Sequence, residues 1–247
     1  MATHPDGGRA ARPPLWRWGR RILVAVLVLA ILAVGSVGIL WTLTPSVADA
    51  PQRVSAVLAA HHAPALAALP SPNPVGEAII ATENSRFSSD FGLDPISVLR
   101  TAVTTLTGSQ DQGAATLEIQ MGKNLYTPHR RGLTSKVEQV ELAFKLDASF
   151  TKDQILLMYL NAAYFGHGFY GLAAAAEGYF ATAPTELSWA QASLLAGLVQ
   201  APSVYDPFRN LGLAQSRQHH VLDRLVSTGV LTKSEAQAAA TAPLNLR

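Results

Sequence analysis

Residues 151–180 read TKDQILLMYLNAAYFGHGFYGLAAAAEGYF, and this stretch decides the fold. Thr151 and Gln154 stand three apart just ahead of the apolar run ILLMYLN. That is the spacing of a capping box, in which each side chain accepts a hydrogen bond from the other residue's free backbone N–H at the start of a helix. Glycines at 166, 168 and 171 then break the chain into a connection. The same device recurs at Ser188-x-x-Gln191, before ASLLAGLV, and at Thr232-x-x-Glu235, which opens a last helix. Between residues 136 and 147, Val137, Val140 and Phe144 fall at i, i+3 and i+7, an amphipathic stripe. No alternating run is long enough to propose a major sheet. From Gly76 onward the chain reads as mainly α.

Composition agrees. Of the 247 residues 49% are apolar, only 7% are aromatic, and alanine is abundant, which leans towards helices. The length allows one domain with appendages. The net charge of +2 is unevenly placed, because residues 1–21 carry five arginines and one acid. The rest is slightly acidic, so nucleic-acid binding is not expected. There are no cysteines, which excludes disulfides, thiolate chemistry and Cys-type zinc sites.

From Ile22 to Leu43 there are 22 residues without a charge, enough to span about 30 Å of hydrocarbon as a helix. Arg17, Arg20 and Arg21 precede it, so the N-terminus is expected in the cytoplasm and the remainder outside the plasma membrane. A cleaved signal peptide, with Ala48-Asp49-Ala50 as the cut, is the weaker alternative, since the apolar run is too long. The organisation expected is a basic tail (1–21), a single transmembrane helix (22–43), a Pro/Ala-rich semi-rigid stalk (44–75), a domain (76–230) and a C-terminal helix and tail (231–247). Residues 53–62 suit a short helix within the stalk. The prolines of PSPNP prevent a continuous helix there.

Two stretches carry candidate chemistry. In ATENSRFSSDFGLD (81–94), Glu83 precedes Phe87 and a Gly-Leu-Asp turn, with Asp94 as a candidate N-cap before Pro95. In GAATLEIQMGKNLY (113–126), Thr116, Gln120 and Lys123 fall at i, i+4 and i+7 of a helix. A hydroxyl, an amide and an ammonium on one face suit a phosphate or a sugar. Spacing alone favours a solvated polar face.

Together these stretches resemble the family 51 glycosyltransferases, the peptidoglycan glycosyltransferase domains of bifunctional penicillin-binding proteins and of monofunctional transglycosylases. The resemblance covers roughly residues 76–225. The family's Glu-Asp-x-x-Phe-x-x-His-x-Gly-x-Asp is met by ENSRFSSDFGLD, with Glu83, Phe87, Gly92 and Asp94 kept. Its Gly-Gly-Ser-Thr-Ile-Thr-Gln-Gln-Leu-x-Lys-Asn is met at Gly113, Thr116, Gln120, Lys123 and Asn124. Its third motif meets SKVEQVELAFKLD at Lys136, Ala143 and Leu146, and the 151–180 stretch and APSVYDPFRN with RQHHVLDRL follow in order.

The resemblance implies a lysozyme-like, mainly α domain that polymerises lipid II outside the membrane, releasing undecaprenyl pyrophosphate. It implies Glu83 as the general base. Asn84, Phe87, Asp90, Arg100, Thr116, Gln120, Lys123, Asn124, Lys136 and Gln139 would line the substrate site. A carboxylate in reach can take the proton of a poor hydroxyl nucleophile, and cations and amides stabilise a departing diphosphate. No metal ligand set is assigned and no cofactor is required, with Mg²⁺ or Mn²⁺ optional at the diphosphate. Expected partners are lipid II, the growing glycan strand, the membrane and other cell-wall synthases.

The chain also departs from the pattern. Asn84 stands for Asp, Asp90 for His, Ala114 and Ala115 for Gly-Ser, Glu118 for Thr, Ile119 for Gln, Ser135 for Arg, Gln139 for Glu, and Gln218 for the second Arg after Arg217. Losing one such charged contact costs ~2–4 kcal/mol in a transition state. Two further readings follow: an impaired, membrane-anchored lipid II-binding scaffold, and a lysozyme-like hydrolase with Glu83 as acid. His167, between glycines, is a candidate substrate contact or a structural residue. His61 and His62 are expected to be solvated in the stalk. The chain beyond residue 225 is too short for a transpeptidase, so one activity is expected.

Overall fold

In a computed structural model the protein is described at residues 20–28, 35, 38, 41–94 and 115–247. It divides into two units, residues 1–44 and 45–247. In the first, residues 20–28 are helical. Among the described residues no helix is long and apolar enough to cross a membrane. Much of the expected span 22–43 lies outside the described residues.

The second unit is built from α1 (Ala50–Ala60), α2 (Pro74–Glu83), α3 (Leu117–Tyr126), α4 (Leu133–Ser149), α5 (Lys152–Ala162), α6 (Leu172–Phe180), α7 (Trp189–Leu198), α8 (Leu211–Ser227) and α9 (Lys233–Thr241). Among the described residues the β content is one isolated bridge, Tyr164 with Tyr170. All three expected capping boxes are present, at Thr151/Gln154, Ser188/Gln191 and Thr232/Glu235.

Helix α7 is buried on every side from Ala190 to Leu198. A helix apolar all round belongs in the centre of a core. Helices α2, α8 and α9 pack around it, while α3, α4, α5 and α1 form a second packed group. Gly122 lets α3 and α4 approach closely: a Cβ there would lie 3.2 Å from Leu142 Cβ and 3.3 Å from the Gln139 carbonyl oxygen.

Two expectations are corrected. The first is the stalk. Residues 45–75 belong to the compact unit, and Val47, Ala50, Val54 and Leu58 are part of its core. Asn161 holds this segment by accepting from Leu66 N at 2.7 Å and donating to Leu66 O at 3.1 Å. Arg53 donates to Leu125 O and lies over the Tyr126 ring. His61 is exposed, as expected, and its ring stacks on Tyr170 with ring centroids 3.5 Å apart. These ties come from residues far along the chain, which local composition does not show.

The second correction concerns α4. Its expected stripe is not the inward face: Val137 is 39% exposed, and the buried positions are Ser135, Gln139, Glu141, Leu142, Ala143, Lys145 and Leu146. Three of the polar residues on that face find partners, whereas Glu141 Oε1 is buried without a hydrogen-bond partner. Gln139 Nε2 donates to Thr127 Oγ1 and Ser135 Oγ, both at 3.0 Å, and Lys145 Nζ donates to Pro45 O. The C-terminal segment is also tied in, through Gln191 Nε2 to Leu244 O and Arg247 N to Tyr179 O.

Candidate active site

Glu83 is the last residue of α2, where the two helix groups meet. Its Oε2 accepts from Gln120 Nε2 of α3 at 3.0 Å. Its Oε1 lies 3.4 Å from Arg217 Nη2 of α8. Gln120 Oε1 in turn accepts from the Tyr159 hydroxyl of α5 at 2.9 Å. Four helices therefore converge on one carboxylate. Burial pushes the Glu83 carboxyl above the ordinary range, against the Gln120 hydrogen bond and the Arg217 charge, which both pull it down. A carboxyl held between a donor amide and a guanidinium, with its proton affinity raised by burial, is equipped for acid–base work.

The backbone around Glu83 explains its placement. Asn84 ends α2, buried, with its N–H on Ile80 O and its carbonyl accepting from Phe87 N. Phe87 is in the core. Gly92 has φ +84°, and a Cβ there would fall 2.6 Å from the Ala143 carbonyl oxygen, so only glycine carries the chain past α4. The Gly92 carbonyl accepts from Thr116 Oγ1 at 2.8 Å, and that hydroxyl also caps α3 by accepting from Ile119 N. Asp94 pairs with Arg86.

Beside this loop lies a cluster that the sequence reading did not assemble. Lys152 Nζ is within 2.7 Å of Asp90 Oδ1, 2.8 Å of Glu118 Oε1 and 2.7 Å of Asp147 Oδ1. It also sits 4.8 Å from the Phe87 ring centroid. The Asp90 side chain is 2% exposed and that of Glu118 is 0% exposed. Burial lowers the Lys152 pKa, yet hydrogen bonds to Asp147, Asp90 and Glu118 outweigh it and raise it. Burial raises the Glu118 pKa against the pull of Lys152, and the Asp90 charge adds to the rise. Among the described residues, Asp90, Glu118 and Asp147 are the group of three with ligand atoms close enough to share a metal ion. The Lys152 ammonium already stands among them as the counter-charge.

The expected site residues thus separate. Glu83 and Gln120 are brought together. Thr116 serves the helix cap and the Gly92 loop. Lys123 and Asn124 on α3, and Lys136 on α4, are exposed. Gln139 is buried and bonded to its neighbours. Arg100 and Pro95 lie outside the described residues. His167 has φ +51°, and its Nδ1 lies 3.2 Å from Asp206 Oδ2. It lines a cavity of ≈ 200 Å³ with Tyr164, Gly168, Ser203, Asp206 and Arg209. Tyr159 was missed because a buried tyrosine in an apolar run looks like core. Arg217 was noted only as a motif match.

A mainly helical domain that gathers an amide and a guanidinium on one buried carboxylate has the equipment of an acid–base enzyme. Comparison with known proteins then gives the family. The transglycosylase family profile matches residues 54–226, and the chain belongs to that family of glycosyltransferases. A protein of Cupriavidus necator described as a transglycosylase is 36% identical over 176 residues, 71% of this chain and 76% of that protein. Penicillin-binding protein 1A of Aquifex aeolicus is 37% identical over 177 residues, and that of Escherichia coli is 36% identical over 170 residues. The matches cover 71% and 68% of this chain but only 24% and 20% of those longer proteins.

Proposed function

We propose that the protein is a peptidoglycan glycosyltransferase that joins lipid II units into glycan strands, with a lysozyme-like domain held at the outer face of the plasma membrane by the apolar segment 22–43. The observation that carries this reading is the Glu83 carboxylate, its side chain 15% exposed at a helix end, with one oxygen on Gln120 and the other facing Arg217. In this reading Glu83 takes the proton from the acceptor's sugar 4-hydroxyl as that oxygen attacks C1 of the lipid-linked chain. The C1–O bond to the diphosphate breaks and undecaprenyl pyrophosphate leaves. Arg217 at the base and Lys123, one turn along α3 from Gln120, would supply positive charge to the departing group. No resident metal is needed; Mg²⁺ or Mn²⁺ would enter with the diphosphate.

The hydrolase reading also draws on one observation, since burial raises the Glu83 pKa as a general acid requires. Products distinguish the two. Full-length protein in detergent is incubated with lipid II, and separately with finished glycan, with and without Mg²⁺ or Mn²⁺, beside Glu83→Gln. Glycan strands from the native protein alone support the transferase. Cleavage of glycan supports the hydrolase. Lipid II binding without either product supports a scaffold.

A further inference from the structure

The reading of Glu83 as a base leaves open what keeps it a base in a buried place, and the answer lies in an atom that never faces substrate. A glutamine amide has two ends of opposite character: the NH₂ donates and the oxygen accepts. Turned one way, Gln120 stabilises the Glu83 carboxylate. Turned the other way, its oxygen faces that carboxylate, repels the charge and favours the protonated acid, which is useless for taking a proton. Nothing about Gln120 itself chooses between the two orientations.

We propose that Tyr159 is a positioning residue that fixes this choice: its hydroxyl donates to Gln120 Oε1 at 2.9 Å and so turns Nε2 onto Glu83 Oε2 at 3.0 Å. The proposal rests on the reading of Glu83 as the base. The geometry suits the task. The Tyr159 residue is 3% exposed, so no solvent competes for its hydroxyl. Burial and the nearby Glu83 charge raise its pKa, so the phenol remains a donor at every working pH. The partners sit on three different helices, α5, α3 and α2, each fixed by core packing. On the other side of Glu83, Arg217 approaches Oε1 only to 3.4 Å, which leaves Gln120 as the closer donor.

The test uses the full-length protein in detergent, with the variants Tyr159→Phe, Gln120→Leu and both together. Two readouts are taken: the ¹³C carboxyl titration of Glu83, assigned by its loss in Glu83→Gln and measured without substrate, and the pH profile of kcat/KM for lipid II. A hydrogen bond to a charged group is worth enough to move a pKa by about one unit. Tyr159→Phe should therefore raise the Glu83 midpoint by roughly half to one pH unit, and the acid limb of the profile should move with it. Gln120→Leu should move both at least as far, and adding Tyr159→Phe to it should change nothing more. A Tyr159→Phe protein whose activity falls equally at every pH with the Glu83 midpoint unmoved would overturn the proposal. So would additive shifts in the double variant. Should Tyr159→Phe fail to fold, the native protein still decides. The Gln120 side-chain NH₂ resonances must follow the Glu83 titration, and flat resonances overturn the proposal. A moved midpoint in a protein that makes no glycan would sink the transferase reading alone and leave the role of Tyr159 standing.

Discussion

Replacing Lys152 by methionine tests how the loop after Glu83 is held. The methionine keeps the length and apolar stem of the side chain and removes only the ammonium. In the native protein the Lys152 side chain is 24% exposed and its ammonium is bonded to three carboxylates, two of them with side chains almost wholly buried. An exposed ion pair is worth about 0–1 kcal/mol. Removing one partner of a buried pair costs more, about 3–5 kcal/mol, because the other charge stays behind without compensation. At roughly 2–4 °C per kcal/mol for a domain of this size, the midpoint of unfolding should fall by about 6–20 °C. The cost should depend on pH. Without Lys152, the buried Glu118 can escape only by taking a proton, so its folded pKa, already raised by burial, rises further above the unfolded one. Its penalty is then present at pH 8 and relieved as pH falls towards 5. Glu118→Gln runs the opposite way. Two carboxylates remain on Lys152 and a buried charge disappears, so the midpoint should stay within about 2 °C. Circular dichroism melts at pH 8 and pH 5 measure both variants. A Lys152→Met protein melting within about 2 °C of the native one at pH 8, or one destabilised equally at both pH values, would refute the account of a buried charge cluster.

Glu83→Gln should change stability with the opposite sign from most substitutions. The folded pKa of Glu83 is raised above the ordinary 4.5, so the native protein loses stability as pH rises past that value. The variant does not, and urea unfolding at pH 4 and pH 8 should show a relative gain in its stability at the higher pH. Leu58→Ala should cost about 2–5 kcal/mol in the same assay, because Leu58 is buried in the core; a true stalk residue would cost less than about 0.5 kcal/mol. Gly92→Ala should cost at least about 1–2 kcal/mol for its left-handed backbone, with more from the approach to Ala143, and a melt unchanged within error would contradict the loop geometry.

What was legible in the sequence was what is local. The capping boxes join residues three apart, so Thr151, Ser188 and Thr232 announced their helices correctly. Segment 45–75 was misread because its fixing partners are remote: Asn161 lies 95 residues from Leu66. The inward face of α4 was misread because hydropathy marks apolar burial, whereas Gln139 and Ser135 are buried through hydrogen bonds to each other and to Thr127. At the site, Glu83 and Gln120 were both singled out, but the bond between them crosses 37 residues and only the fold supplies it.

The same remoteness bears on the departures from the family pattern. Weighed one at a time along the chain, Asp90 for His and Glu118 for Thr read as two separate injuries to a catalytic region. In space they are one arrangement, two carboxylates on a single Lys152. Ser135 for Arg and Gln139 for Glu likewise fall together, and the two share a neutral hydrogen bond. Drift in a disused site removes groups singly and strands their partners, at about 1–3 kcal/mol for each polar group left buried and unpaired. These substitutions are satisfied only in part: Lys152 takes one oxygen of Asp90 and one of Glu118, while Asp90 Oδ2, Glu118 Oε2 and Asn84 Nδ2 are buried without a hydrogen-bond partner. The contacts of Glu83 with Gln120 and Arg217, and not the altered positions, are therefore what the proposed chemistry rests on.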